Sequence, residues 1–142
     1  MATLKEDIQK SAEWISTALI SSGYKADFST DSIAEVERFF SEQSRNGKAV
    51  SSGLLSEQLG TRLFSVGSYV GELLKRNIGG EWIVNDSDPQ DEINVAVKLP
   101  NGTICWPVQR VMKRFKNGTE ESLTAYAISL GIKTSAKVFP NK

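Results

Sequence analysis

The side chains that carry most enzyme chemistry are sparse in this sequence of 142 residues. Histidine is absent, which excludes Ser-His-Asp and Cys-His pairs and every imidazole-ligated metal site. The single cysteine, Cys105, lies between Ile104 and Trp106. It cannot form an internal disulfide and reads as an ordinary strand residue, following the bias of free Cys toward burial.

Three groups of charge remain. Asp86, Asp88, Asp91 and Glu92 put four acids into the run NDSDPQDE. As a calcium loop this run lacks the EF-hand glycine, and Val97 stands where the bidentate Glu belongs. It reads as a solvated loop or as the contact for a charged partner, and no metal is expected. Glu72 and Arg76 stand in the favoured order for a helical ion pair, worth ~0.3 kcal/mol when exposed. With Tyr69 they define a second candidate, a polar groove. General-acid work by Glu72 would need a further positioned group; the plainer reading is an ion pair anchoring a helix to a sheet. Arg110, Lys113, Arg114 and Lys116 form a basic set expected on the outer face of a short helix, suited to an anion or phosphate contact. No cofactor is implied, because Gly79-Gly80 precedes a strand, the wrong order for a nucleotide loop.

These groups must be positioned by an α+β domain of three N-terminal helices, a three-stranded antiparallel meander and two short C-terminal helices. The organising stretch is 54–80, where Leu55, Leu59, Leu63, Val66, Val70, Leu73 and Leu74 recur at helical spacing. Gly67 and Gly71 inside it clear one strip of side chains for a close backbone approach. Before it, a helix over about 3–22 opens with the capping-box pair Thr3 and Glu6. A second, over about 29–45, is expected to be capped by Ser29 in preference to Ser32, and KAVSSG then forms a loop. After Gly80 the period becomes two. Trp82 and Val84 share one strand face, and Ile93, Val95, Val97 and Leu99 mark a strand over 93–99. Asn101-Gly102 predicts a two-residue hairpin with Leu99 opposite Ile104 and Val97 opposite Trp106. Pro107 opens a helix ending at Asn117-Gly118, Thr119 caps the last one, and a loose tail follows from about 134.

Seventeen basic residues balance seventeen acidic ones, which argues against nucleic acid as partner. The polar start MATLKEDIQK and the lack of any run near ~18 apolar residues point to a cytoplasmic domain that spans no membrane. Residues 1–142 read as one domain.

The run GSYVGELLKRNIGGEW, a hairpin, and then PVQRVMKRFKNGTEESLTAY resemble a pattern in small bacterial domains of unassigned function. That pattern has a G-x-Y-x-G-E helix, a G-G-x-W strand and a P-x-x-x-V-x-K-R segment with N-G. Residues 27–40 are similar to its second helix, so the resemblance covers about 27–130. It implies a fold, and through relatives encoded beside bacterial toxins it implies an immunity-type protein. Three function classes follow: a protein-binding domain with the 86–92 acids facing a basic toxin, a scaffold domain, and a ligand binder or enzyme using the Tyr69, Glu72 and Arg76 groove.

Overall fold

The structure is a computed structural model that describes residues 3–85, 87 and 91–134, with Asp91 described in its backbone alone. Among these residues the chain forms five α-helices, a two-stranded and a three-stranded antiparallel sheet, and short 3-10 turns.

Helix α1 (Leu4–Ser21) buries Leu4, Ile8, Ala12, Ile15 and Leu19, the predicted stripe. Thr3 caps it, its Oγ1 accepting from the Glu6 amide at 3.2 Å. Helix α2 (Ser32–Gln43) starts later than expected, because Phe28 to Asp31 are used in a turn. Phe28 sits at φ 63°, and Ser29 gives its carbonyl, not its hydroxyl, to Ser32. The stretch read as a helix end and loop is a tight hairpin of β1 (Ser44–Arg45) and β2 (Lys48–Ala49). Asn46 and Gly47 turn it with positive φ at both positions, the two-residue geometry that matches strand twist.

Helix α3 (Leu59–Ile78) is the central element, and Leu63 to Leu74 are all buried. Its start is set by a break: Leu54–Ser56 is a 3-10 turn, and Gln58 at φ 48° separates it from the helix. The glycine strip has a definite cause. A Cβ on Gly67 would lie 2.6 Å from the Val108 Cα, and one on Gly71 would lie 2.0 Å from the Trp82 ring. Only glycine permits these approaches.

Strands β3 (Glu81–Ile83), β4 (Ala96–Lys98) and β5 (Ile104–Cys105) form the second sheet in that order. Ile93 belongs to a 3-10 turn over Asp91–Asn94, so the strand expected over 93–99 is shorter than its alternation suggests. The hairpin also differs by one residue. Val97 pairs with Cys105 and Lys98 with Ile104, and the Leu99 amide bonds the Thr103 carbonyl at 2.8 Å. The loop therefore has three residues, with Gly102 at φ 91°. A one-residue slip reverses every side chain of the strand. Cys105 points inward, while Ile104 and Trp106 point out.

Helix α4 (Pro107–Asn117) begins on proline as predicted. Helix α5 (Leu123–Ser129) is capped by Ser122, which accepts from the Ala125 amide, because 118–121 is a 3-10 turn rather than the helix start expected at Thr119. Thr134 hydrogen-bonds Asp31, and the rest of the expected tail lies outside the described residues. No described helix is long and apolar enough to cross a membrane.

Candidate functional site

The groove expected of Tyr69, Glu72 and Arg76 is filled from within. Glu72 is 2% exposed. Trp82 Nε1 donates to its Oε2 at 2.7 Å, and Arg76 Nε and Gln9 Nε2 donate to Oε1 at 3.2 and 3.3 Å. Lys75 Nζ stands 4.0 Å from Oε2. The carboxylate thus joins α1, α3 and the sheet, and a buried acid held by this many donors is paired rather than free to react. Phe28 occupies the space between the other two residues, its ring stacked on Tyr69 at 4.5 Å and lying 3.9 Å under the Arg76 guanidinium.

Tyr69 completes a donor chain. Its hydroxyl accepts from the Phe28 amide at 2.9 Å, and Ser32 Oγ donates to the Ser29 carbonyl at 2.7 Å. Ser32 has spent its only proton, so Tyr69 is the donor in their 2.6 Å contact. Burial pushes the Tyr69 hydroxyl above its ordinary pKa, with the bond it accepts from the Phe28 amide opposing that rise. The cluster fixes the loop before α2 onto α3.

The basic set divides. Arg114 was expected on an outer face with its neighbours; it is 2% exposed instead. It pairs with Glu37 at 2.7 Å and donates to Ser41 Oγ at 2.9 Å. The other oxygen of Glu37 accepts the Leu123 amide at 2.8 Å, so this node fastens α2, α4 and α5. Arg110 meets Glu121 at 2.8 Å and lies 4.5 Å over the Tyr126 ring. Lys113 and Lys116 are exposed. Cys105 is buried, donates to the Val97 carbonyl, and burial pushes its thiol upward in pKa. A thiol in that state is a poor nucleophile.

Of the acidic turn, Asp86 and Asp88 and the side chain of Asp91 lie outside the described residues, and Glu92 is exposed. Among the described residues no group of acids and cysteine is arranged to hold a metal ion.

The sequence does not show a further surface, on the three-stranded sheet. The sheet register places Ile83 across from Ala96, and Trp106 follows Cys105, the partner of Val97, at the start of α4. Ile83, Ile104 and Trp106 are all exposed, Trp106 at 45%, with Glu81 and Lys98 on the same face. Gln109 in the first turns of α4 bonds Asn94 at 3.0 Å, which holds the turn carrying exposed Ile93 next to this end of the helix. The run Ile104-Cys105-Trp106 is apolar throughout, so its pattern could not say which members face outward.

Compared with protein-family models, with curated proteins and with solved structures, the chain shows no match to any of them.

Proposed function

We propose that this chain is a non-enzymatic protein-binding domain that docks through the outer face of its three-stranded sheet. The observation that carries this reading is the exposure of Ile83, Ile104 and Trp106 on strands β3 and β5 and at the start of α4, with exposed Glu81 and Lys98 on the same sheet. An apolar, aromatic centre inside a charged rim is the anatomy of a protein interface. The alternative, an enzyme or ligand binder at Glu72 and Arg76, loses support because both oxygens of Glu72 are already engaged by protein donors.

The 86–92 run joins β3 to β4 in the chain and carries four acids, which suits a basic partner. In its specific form, drawn from the resemblance to small bacterial domains, the partner is a cognate toxin whose basic substrate cleft is plugged.

The test is site-specific photo-crosslinking in cells of the source organism, with the crosslinker at position 106 and, as a control, at exposed Ile20 on α1. One saturable protein adduct from 106, absent from 20 and competed by unmodified chain, is the expected result. Neutralising Asp86, Asp88, Asp91 and Glu92 to Asn or Gln should then slow association with that protein and flatten its salt dependence. Equal adducts from 106 and 20, or none, would remove the docking assignment.

A further inference from the structure

The arginines of this fold are partnered unequally. Arg38, Arg76, Arg110 and Arg114 each meet a carboxylate, and Arg45 is exposed on β1. Arg62 is half-buried in the first turns of α3, yet it makes no ion pair among the described residues. Its Nη1 donates to the Leu54 carbonyl at 2.7 Å, and its guanidinium lies 5.1 Å from the ring centroid of Trp14. Trp14 is 47% exposed. Lys10, one turn earlier on α1, is exposed and likewise makes no ion pair among the described residues.

Two cavities meet at Arg62. One, of about 350 Å³, is lined by Lys10, Trp14, Gln58 and Thr61 among others. The second, of about 430 Å³, lies beyond the guanidinium over Phe39 and Leu54. The loop at their rim is held in an unusual shape, with Ser52 at φ 66° and Gln58 at φ 48°. Left-handed backbone at non-glycine residues costs energy, and such strain gathers at ligand sites.

We propose that Arg62, Lys10 and Trp14 form a binding site for a small organic phosphate with a planar body. A guanidinium stacked on an indole keeps its in-plane N–H groups, and only one nitrogen is committed to Leu54, so a bidentate grip on an oxyanion remains open. Two unneutralised cations match a phosphate monoester, which carries close to two charges at neutral pH, better than a carboxylate, which would leave one cation uncompensated. The first turn of α3 carries no acid, and Glu57, which lines the second cavity with Arg62, makes no ion pair with it among the described residues. The planar group follows from Trp14, whose exposed ring beside the cations offers a stacking surface. The cavity volume fits a mononucleotide-sized molecule. A polymeric nucleic acid is disfavoured by the zero net charge of the chain. The site sits at the N-terminal end of α3 and does not rest on the docking face of the sheet.

Calorimetric titration with adenosine monophosphate, adenosine, ribose 5-phosphate and inorganic phosphate tests the assignment. The monophosphate should bind saturably, and each of the other three about tenfold more weakly or worse. Arg62→Gln should weaken it by about tenfold or more. Because Arg62 also anchors the Leu54 turn, Lys10→Gln, at an exposed position, provides a second variant expected to leave the thermal midpoint unchanged while weakening binding several-fold. Lack of saturation by the monophosphate up to about 10 mM, or binding indifferent to both substitutions, overturns the proposal. Ribose 5-phosphate binding as tightly as the nucleotide overturns the planar component, and tighter binding of a short oligothymidylate replaces the small ligand with single-stranded nucleic acid.

Discussion

Helix α3 is packed by different rules on its two flanks. Toward α4 and the sheet it offers Gly67 and Gly71, where the Val108 backbone and the rings of Trp82 and Pro107 come too close for any side chain. Toward α1 it offers Ser65, Ser68 and Glu72. Glu72 bonds Gln9, and Ser65 lines a cavity with Lys10, Ser11 and Trp14. The helical period puts Ser68 between them. On the glycine flank, volume decides stability. On the serine flank, hydrogen bonding decides it. The contrast shows that one helix can be buried all round without being uniformly apolar when its charged group is matched by donors from other elements.

The largest expected effect tests the glycine flank. Gly67→Leu should destabilise by ~3 kcal/mol through forced separation of α3 and α4, read as a lowered urea midpoint. An unchanged midpoint would mean that the approach to Val108 is not tight, and the contrast would collapse. Next comes the serine flank. Glu72→Leu should cost ~2 kcal/mol because it strands the Trp82 indole N–H and the Gln9 amide in a buried site, whereas Glu72→Gln, which keeps an acceptor, should cost less. Equal losses from the two would mean that volume rules here too.

Ser68 sharpens the rule by its sign. It is fully buried, and its Oγ has no hydrogen-bond partner among the described residues. Ser68→Ala removes an unmatched hydroxyl and should stabilise by ~1 kcal/mol; a loss of similar size would reveal a bond that the hydroxyl makes.

The smallest effect lies off both flanks. Hydrogen bonds from Ser29 hold the Asp27 carboxyl below its ordinary value of 3.8, and Arg38, aided by the Lys25 amide, does the same for Glu35 below 4.5. A folded-state pKa below the unfolded one gives stabilisation that is present above the unfolded pKa and lost as pH falls through the folded one. Stability should therefore decline as pH drops through these values and below, and Glu35→Gln should flatten the decline. A parent and variant with the same acid profile would remove Glu35 from the account.

The glycine flank was legible in the sequence because Gly67 and Gly71 stand four apart inside an otherwise apolar helix, a pattern with one good physical reason. The serine flank was half legible. Spacing gave the pair of Glu72 and Arg76, but spacing within a helix says nothing of Gln9 and Trp82, which arrive from elsewhere in the chain. Arg114 was unreadable for the same reason: its partner Glu37 is 77 residues away. The exposed face of the three-stranded sheet was hidden by a single choice. Asn101-Gly102 suits a two-residue turn, and the three-residue loop actually used turns Ile104 and Trp106 outward. Arg62 looked like any helix arginine, and only the full set of ion pairs sets it apart.

The bond between Leu123 and Glu37 acts in time as well as in energy. The amide of Leu123 opens α5 and would be left without a helical acceptor, but Glu37 of α2 receives it from 86 residues away. Two positions on, the Ala125 amide is held by Ser122 within the same turn. Fraying of α5 alone is enough to release Ala125 to deuterated solvent. Release of Leu123 requires its bond to Glu37 on α2 to break as well. The Leu123 amide is thus a slow clock in the first turn of the shortest helix, ticking at the rate at which that bond opens.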